Sequence, residues 1–222
     1  MKRFRLTDLT PPKIDTLPQY SVSWPRLDLT EIEALQQALD SATCEQDMQD
    51  FLTSSPLYLV QHLGGGHGRW VVPQCRFGSQ YIADFVVGEK HSFGFDWQLV
   101  ELESPLLPMF TKTGNPSSTM THAIRQIQDW RAWLHANQSY AGRDVKDGGL
   151  GLLDIVGDTP GLILIGRRRD LDESTNQLRR QMMRDLTIQI RTYDSLCDNN
   201  GGILVSQSFR LLREQLDAEE RS

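Results

Sequence analysis

The sequence predicts an α/β fold of the α+β kind, in which a mixed central sheet is flanked by helices. The hydrophobic patterns follow the order helix, strands, helix, strand, helix, strand, helix, after a first helical segment. Strands with short turns, followed by strands with helical connections, are typical of a mixed sheet between helical layers. The fully apolar run at 162–165 also indicates a strand that is buried on both faces. The 222 residues suffice for one substantial domain.

The N-terminal part predicts an irregular arm followed by helices. Residues 1–28 contain four prolines and no periodic pattern, which indicates an arm. Thr30 with Glu33 forms a capping-box pattern at the start of one helix, and Thr43 with Gln46 repeats it for a second. We expect residues 1–43 to form an arm and helix, and residues 44–222 to form the main domain.

Three strands are predicted in the middle of the chain, at 70–77, 80–87 and 97–103. The connections between them are short, one around Gly78 and the other across residues 88–96, so we expect an antiparallel meander. The Pro-, Gly- and Thr-rich segment 104–117 is too long for a simple connection.

Helices and strands alternate in the second half of the chain. A long amphipathic helix is predicted at 118–137, a buried strand at 161–166 and a helix at 171–185. Residues 187–192 predict a further strand, with continuation of the preceding helix as the alternative. A terminal helix is predicted at 208–218.

Composition excludes several classes of protein. The formal net charge of −6 and the pI of about 5.4 argue against a generally basic protein that coats DNA. Three scattered cysteines without a C-x-x-C pair are typical of a reduced, cytosolic chain. No apolar run is long enough for a signal peptide or a membrane span. We therefore expect a cytoplasmic protein with no membrane partner.

Three acidic residues stand out in the second and third predicted strands. The period of two places Asp84 on one face with Ile82 and Val86, and Glu101 on one face with Glu103. If the strands are neighbours, the carboxylates converge, and two charges about 5 Å apart repel by roughly 3 kcal/mol. Such a cluster needs a divalent cation, a raised pKa or a basic partner. The alternative is that acids at strand ends are simply solvated.

The same segments resemble a known nuclease core. Residues 82–85 (IADF), followed by 100–105 (VELESP), resemble the core of the PD-(D/E)xK nucleases. Residues 110–117 (FTKTGNPS) and 121–130 (THAIRQIQDW) resemble the conserved domain of the Shedu anti-phage defence proteins. The likeness extends over roughly residues 44–197.

The resemblance implies a DNA endonuclease that requires Mg²⁺ or Mn²⁺ and acts in prokaryotic anti-phage defence. It implies that Asp84 and Glu101 are metal ligands, that Gln126 lies beside the catalytic site and that Glu45 is an additional ligand from an early helix. It also implies a homo-oligomer, and a PD-(D/E)xK core as the centre of the predicted fold.

One position departs from the resemblance. Glu103 stands where the D/E-x-K pattern has lysine. This glutamate is expected either to bind a second metal ion or to act as a base, with greater dependence on metal. The alternative is a protein that cannot cleave but still binds nucleic acid or regulates a partner.

The long helix and an arginine-rich segment each allow two interpretations. On the predicted long helix, His122 and Gln126 lie one turn apart beside the buried stripe, where Gln126 either reaches the site or caps a neighbouring strand. The arginines between 167 and 184 either bind phosphates or form a solvated helix face paired with nearby acids.

The glycine run at 64–68 lacks the Gly-Lys-Ser/Thr ending of a P-loop, which argues against a phosphate-binding P-loop there.

Overall fold

The computed structural model describes residues 17–64 and 66–200. It contains four α-helices, α1 (Leu29–Ser41), α2 (Glu45–Ser54), α3 (Ser118–Ala141) and α4 (Glu173–Leu186). Its five strands are β1 (Arg69–Phe77), β2 (Tyr81–His91), β3 (Gly94–Leu102), β4 (Gly161–Leu164) and β5 (Ile188–Arg191). The 3₁₀ helices are Pro18–Tyr20, Pro56–Val60, Val145–Asp147, Arg168–Asp170 and Tyr193–Asn200.

The five strands form one mixed sheet in the order β1-β2-β3-β4-β5. The first three strands pair antiparallel, whereas β4 and β5 pair parallel to β3 and to each other. The predicted meander and mixed sheet are therefore confirmed. The parallel pairs require crossover connections, which α3 and α4 supply.

Helices cover both faces of this sheet. One apolar cluster lies between the sheet and α3 and includes Ile127 and Trp130, with α4 side chains packed against it. The second cluster lies between the opposite face and the helices α1 and α2, and it includes Leu35 and Leu52. The predicted arrangement of a central sheet flanked by helices is confirmed.

The second turn of the meander is tighter than predicted. The sequence assigned residues 88–96 to the connection, but the ladder continues through the pairs Glu89–Asp96 and Lys90–Phe95. Only Ser92 and Phe93 connect the two strands. Charged side chains at these positions obscure the strand pattern, because the outer end of an antiparallel pair is solvated.

Both predicted helix caps are displaced. Asp28 caps α1 by accepting hydrogen bonds from the backbone N–H groups of Thr30 and Glu31, so the helix begins one residue before Thr30. At α2, Asp47 accepts from the backbone N–H groups of Thr43 and Cys44, a role that the sequence assigned to Gln46. A carboxylate at N3 accepts the orphan N–H groups more strongly than a neutral amide does.

Other boundaries follow the predicted pattern more closely. The long helix was predicted to end at Asn137, and α3 there has a non-helical residue before a final turn. Residues 188–191 form strand β5, so the alternative of a continued helix is wrong. The predicted terminal helix and most of the N-terminal arm lie outside the described residues, and the division at residue 43 stays a prediction. Among the described helices, none is both long and apolar enough to cross a membrane.

A buried arginine joins α3 to the starts of the two parallel strands. The Arg131 guanidinium donates hydrogen bonds to the carbonyl oxygens of Thr159, Leu186 and Thr187, each at 2.9 Å. These carbonyls lie immediately before β4 and β5, where the chain enters the sheet. Arg131 therefore fixes the end of the sheet that α3 crosses.

Replacing Arg131 is expected to destabilise the fold, because three carbonyl groups lose a charged donor. For Arg131→Met we expect a loss of about 3 kcal/mol of unfolding free energy and a fall of roughly 6–12 °C in Tm, measured by calorimetry. Arg125→Met is the matched control, since the Arg125 side chain on the same helix is 81% exposed. Equal effects of the two substitutions would contradict this account.

Candidate metal centre

Asp84 lies where strands β2 and β3 separate. The β2–β3 ladder ends at the pair Phe85–Val100, and the Asp84 carboxylate accepts a hydrogen bond from the backbone N–H of Leu102 at 2.8 Å. Its other oxygen accepts from the Gln74 side-chain amide at 3.3 Å. The aspartate thus replaces a missing ladder bond and is held beside the end of β3.

The predicted strand face around Asp84 is wrong. Ala83 and Val86 pack in the same cluster beneath α3, which strict alternation forbids, and Ile82 is exposed. Ile82, Asp84 and Val86 therefore do not share one face. The alternation is interrupted at Asp84, opposite Gln74, whose φ of +47° bends the neighbouring strand.

Glu101, in β3, and Glu103, directly after the strand, lie on its α3 face, as the alternation predicts. They alternate with Val100 and Leu102, which pack in the opposite cluster. Both glutamates are buried, at 4% and 8% exposure respectively. His122, in the first turns of α3, brings its Nδ1 to 3.9 Å from Glu103 Oε1. Ligand atoms of Glu101, Glu103 and His122 all lie within 4.8 Å of one another.

Glu45, the first residue of α2, completes the acidic group. It is half-buried, and its carboxylate acts electrostatically on Asp84, Glu101 and Glu103. We call Glu45, Asp84, Glu101 and Glu103 the carboxylate cluster. Three elements on two sides of the sheet thus supply acids to one place, and no lysine or arginine of the described chain forms an ion pair with them.

Comparison with known families identifies the chain. The family described as "Shedu protein SduA, C-terminal" matches residues 42–197. The chain belongs to the Shedu family. Membership suggests a role in anti-phage defence, and the matched segment contains the whole carboxylate cluster. No curated protein matches this Shedu chain.

Burial and mutual repulsion keep the carboxylate cluster of the Shedu chain partly protonated. Burial, followed by the charges of Asp84, Glu103 and Glu45, raises the pKa of Glu101 to about 10. Burial and the charges of Glu45 and Asp84 raise the pKa of Glu103 to about 7. Burial also raises the pKa of Asp84 and, with the charge of Asp84, that of Glu45. A side-chain hydrogen bond links Glu101 to Asp84, and the protonated Glu101 is its donor.

A buried tyrosine contacts the backbone of the carboxylate cluster. Tyr193 is fully buried, and its hydroxyl donates to the backbone carbonyl of Glu103 at 2.8 Å. Burial and then the four cluster charges raise the pKa of Tyr193 well above its ordinary value. The tyrosine therefore stays neutral and anchors the chain that carries Glu103.

The predicted site residues are brought together unequally. Glu45, Asp84, Glu101 and Glu103 interact, whereas Gln126 is half-buried one turn after His122 and has no side-chain hydrogen bond within the described chain. Sequence reasoning did not assign roles to His122, Gln74 or Tyr193. His122 was recognisable from its place one turn before Gln126, but the other two carry no local signal.

The pH dependence of stability follows from Glu101. Its pKa of about 10 in the folded state exceeds the ordinary 4.5, so folding favours the protonated form. The stabilisation is complete below pH 4.5 and is lost as pH rises towards the folded pKa, by about 1.4 kcal/mol per pH unit.

Glu101→Gln removes this titration, so without metal the variant should gain Tm over the parent by about 3–6 °C per unit between pH 6 and 8. The measurement is thermal unfolding in a chelating buffer. Glu33→Gln, at an exposed position on α1, serves as the control and should give a constant difference. Parallel Tm profiles for the parent and Glu101→Gln would contradict the assignment.

Proposed function

We propose that this Shedu protein is a metal-dependent DNA endonuclease that hydrolyses phosphodiester bonds in anti-phage defence. The observation that carries the proposal is the carboxylate cluster, in which two acids are almost fully buried next to two others. Protein folds rarely keep such a group without a function, because burying and crowding charges costs free energy. The sequence resemblance to PD-(D/E)xK nucleases supports the same proposed activity.

The donor set of the cluster fits a hard divalent cation. Mg²⁺ and Mn²⁺ prefer carboxylate oxygens, and the crowded negative charge would be neutralised by such an ion. Asp84 and Glu101 would hold it, with Glu45 and the His122 imidazole as further ligands, which leaves the Glu103 carboxylate beside the ion. When bound, Mg²⁺ or Mn²⁺ acidifies water and stabilises negative charge on the transferred phosphoryl group.

The chain itself would contribute orientation and proton transfer. The Leu102 N–H fixes the Asp84 carboxylate, and the Tyr193 hydroxyl fixes the backbone of Glu103. The pKa of Glu103, raised to about 7 by burial and then by Glu45 and Asp84, suits a group that accepts a proton from water near neutral pH. We assign Glu103 the role of base, and Gln126 the role of a polar contact on the α3 side.

A second candidate function rests on the same position. Glu103 stands where the nuclease pattern has lysine, and no lysine or arginine of the described chain forms an ion pair with it. If that charge is required for cleavage, the protein binds nucleic acid or regulates a partner without cutting. The homo-oligomer implied by the resemblance is compatible with either function and stays a prediction.

Cleavage assays test the leading proposal. Supercoiled and linear DNA incubated with the purified protein should be cut in Mg²⁺ or Mn²⁺ and left intact in a chelator. Asp84→Asn and Glu101→Gln should each lower the rate at least 100-fold, because they remove ligand charge. Glu33→Gln is the control that preserves the cluster. Undiminished cleavage by both cluster variants would overturn the site assignment.

Two substitutions at Glu103 separate the functions. Under the nuclease proposal, Glu103→Gln should lower the cleavage rate by about 10²–10⁴-fold at pH 7, the range lost with a general base, while folding is retained. Under the alternative, the parent binds DNA without cutting and Glu103→Lys gains metal-dependent cleavage, because lysine supplies the missing charge. DNA binding and cleavage are measured on the same preparations, so loss of folding is distinguished from loss of chemistry.

A further inference from the structure

A basic cavity lies on the opposite edge of the sheet from β1. It has a volume of about 560 Å³, opens to solvent and is lined by residues of α4, β5, the segment just before α4 and the 3₁₀ helix Tyr193–Asn200. Four arginines line it, and we call them the arginine pocket: Arg168, Arg179, Arg180 and Arg191. Asp198 is the acidic residue among the described lining residues, so within this part of the chain four positive charges face one negative charge and three remain uncompensated.

The arginines of this pocket are crowded and poorly paired. Burial and then the charges of Arg180, Arg168 and Arg191 lower the pKa of Arg179. Arg168 pairs with Asp198. Within the described chain, the buried Arg179 Nε and the buried Ser195 Oγ have no hydrogen-bond partner. Both residues line the cavity, and the two buried atoms are polar groups that the described chain leaves without a partner.

Arginines with structural roles elsewhere in the fold are paired differently. Arg167, next to the pocket, forms ion pairs with Asp40 and Asp194, each at 3.1 Å. Arg131 donates to three carbonyl groups. Among residues 17–64 and 66–200, the arginine pocket has no such compensation, so its positive charge is available to an anion.

We propose that the arginine pocket binds a nucleotide-sized ligand that carries two or more adjacent phosphate groups. Three uncompensated charges in one cavity match a di- or triphosphate better than a phosphodiester, which carries one charge per phosphate along an extended chain. Guanidinium groups bind phosphate oxygens through paired N–H donors. The cavity volume is in the range of small-molecule sites.

The other lining residues fit the remainder of such a ligand. Leu171, Met183 and Ile190 offer an apolar wall, and the Asn176 amide offers a donor and an acceptor. The site is distinct from the carboxylate cluster, none of whose members lines it. The two sites are close along the chain. Thr192 and Ser195 line the pocket, and Tyr193 between them donates a hydrogen bond to the Glu103 carbonyl. The proposal does not depend on nuclease activity.

Isothermal titration calorimetry on the full chain tests the pocket directly. A chelator is present so that metal-mediated binding is excluded, and the ligands are ATP, ADP, AMP and inorganic tripolyphosphate. We expect saturable binding of ATP and ADP and at least tenfold weaker binding of AMP. Tripolyphosphate bound as tightly as ATP identifies an inorganic polyphosphate as the source of the phosphates, whereas weaker binding identifies a nucleotide.

Charge-neutralising variants locate the binding. Arg179→Gln and Arg191→Gln should each weaken ATP binding about tenfold or more, while Arg169→Gln, an exposed neighbour outside the pocket, should leave it unchanged. Because the pocket arginines repel one another, the two variants should also fold at least as stably as the parent, which thermal unfolding checks.

Three results would overturn the proposal: no saturable binding of any ligand, equal weakening by Arg169→Gln, or preferential binding of single-stranded DNA that displaces ATP from the pocket. The last result would make the pocket part of a nucleic-acid surface. All three are read from binding alone, so failure of the nuclease proposal does not produce them.

Discussion

The mutual repulsion of the buried carboxylates around Glu101 is the constraint on which the candidate site depends. Glu101 is 4% exposed, so water screens its neighbours poorly. The fold accommodates the repulsion by keeping a proton on Glu101, which donates to Asp84, and by giving Asp84 the backbone N–H of Leu102. The sheet therefore holds the carboxyl groups close together, and the repulsion appears as raised pKa values of Glu101 and Glu103.

Charge is separated across the sheet. The acids gather beneath α3 near the centre of the sheet, and the arginines gather at its β5 edge. The formal net charge of −6 conceals this division, because it sums two groups that do not interact directly. The net charge of the whole chain is therefore weak evidence on whether the protein binds phosphate groups. Phosphate binding depends instead on the local charge density, which is set by the side chains that the fold brings together.

Much of the fold was predictable because local patterns agree with the tertiary arrangement. The meander, the buried strand β4 and the long helix all follow from periodicity. The helix starts were less accurate, since several acidic and hydroxyl residues compete to cap the same turn. The turn at Ser92 was missed because strand pairing, rather than apolar alternation, extends β2 and β3. Pairing is a contact between segments, and a single segment does not reveal it.

The sequence by itself determined which acidic residues are candidates for a functional site. An aspartate in an apolar strand and two glutamates with a period of two mark Asp84, Glu101 and Glu103, since burying a charge is costly wherever it occurs. The resemblance had indicated Glu45, but only the tertiary structure decided that Glu45 and His122 lie near them and that the Tyr193 hydroxyl donates to the backbone of Glu103. These residues come from distant segments, and their proximity depends on how helices pack on the sheet. The same packing assembles the arginine pocket from α4, β5 and the 3₁₀ helices Arg168–Asp170 and Tyr193–Asn200.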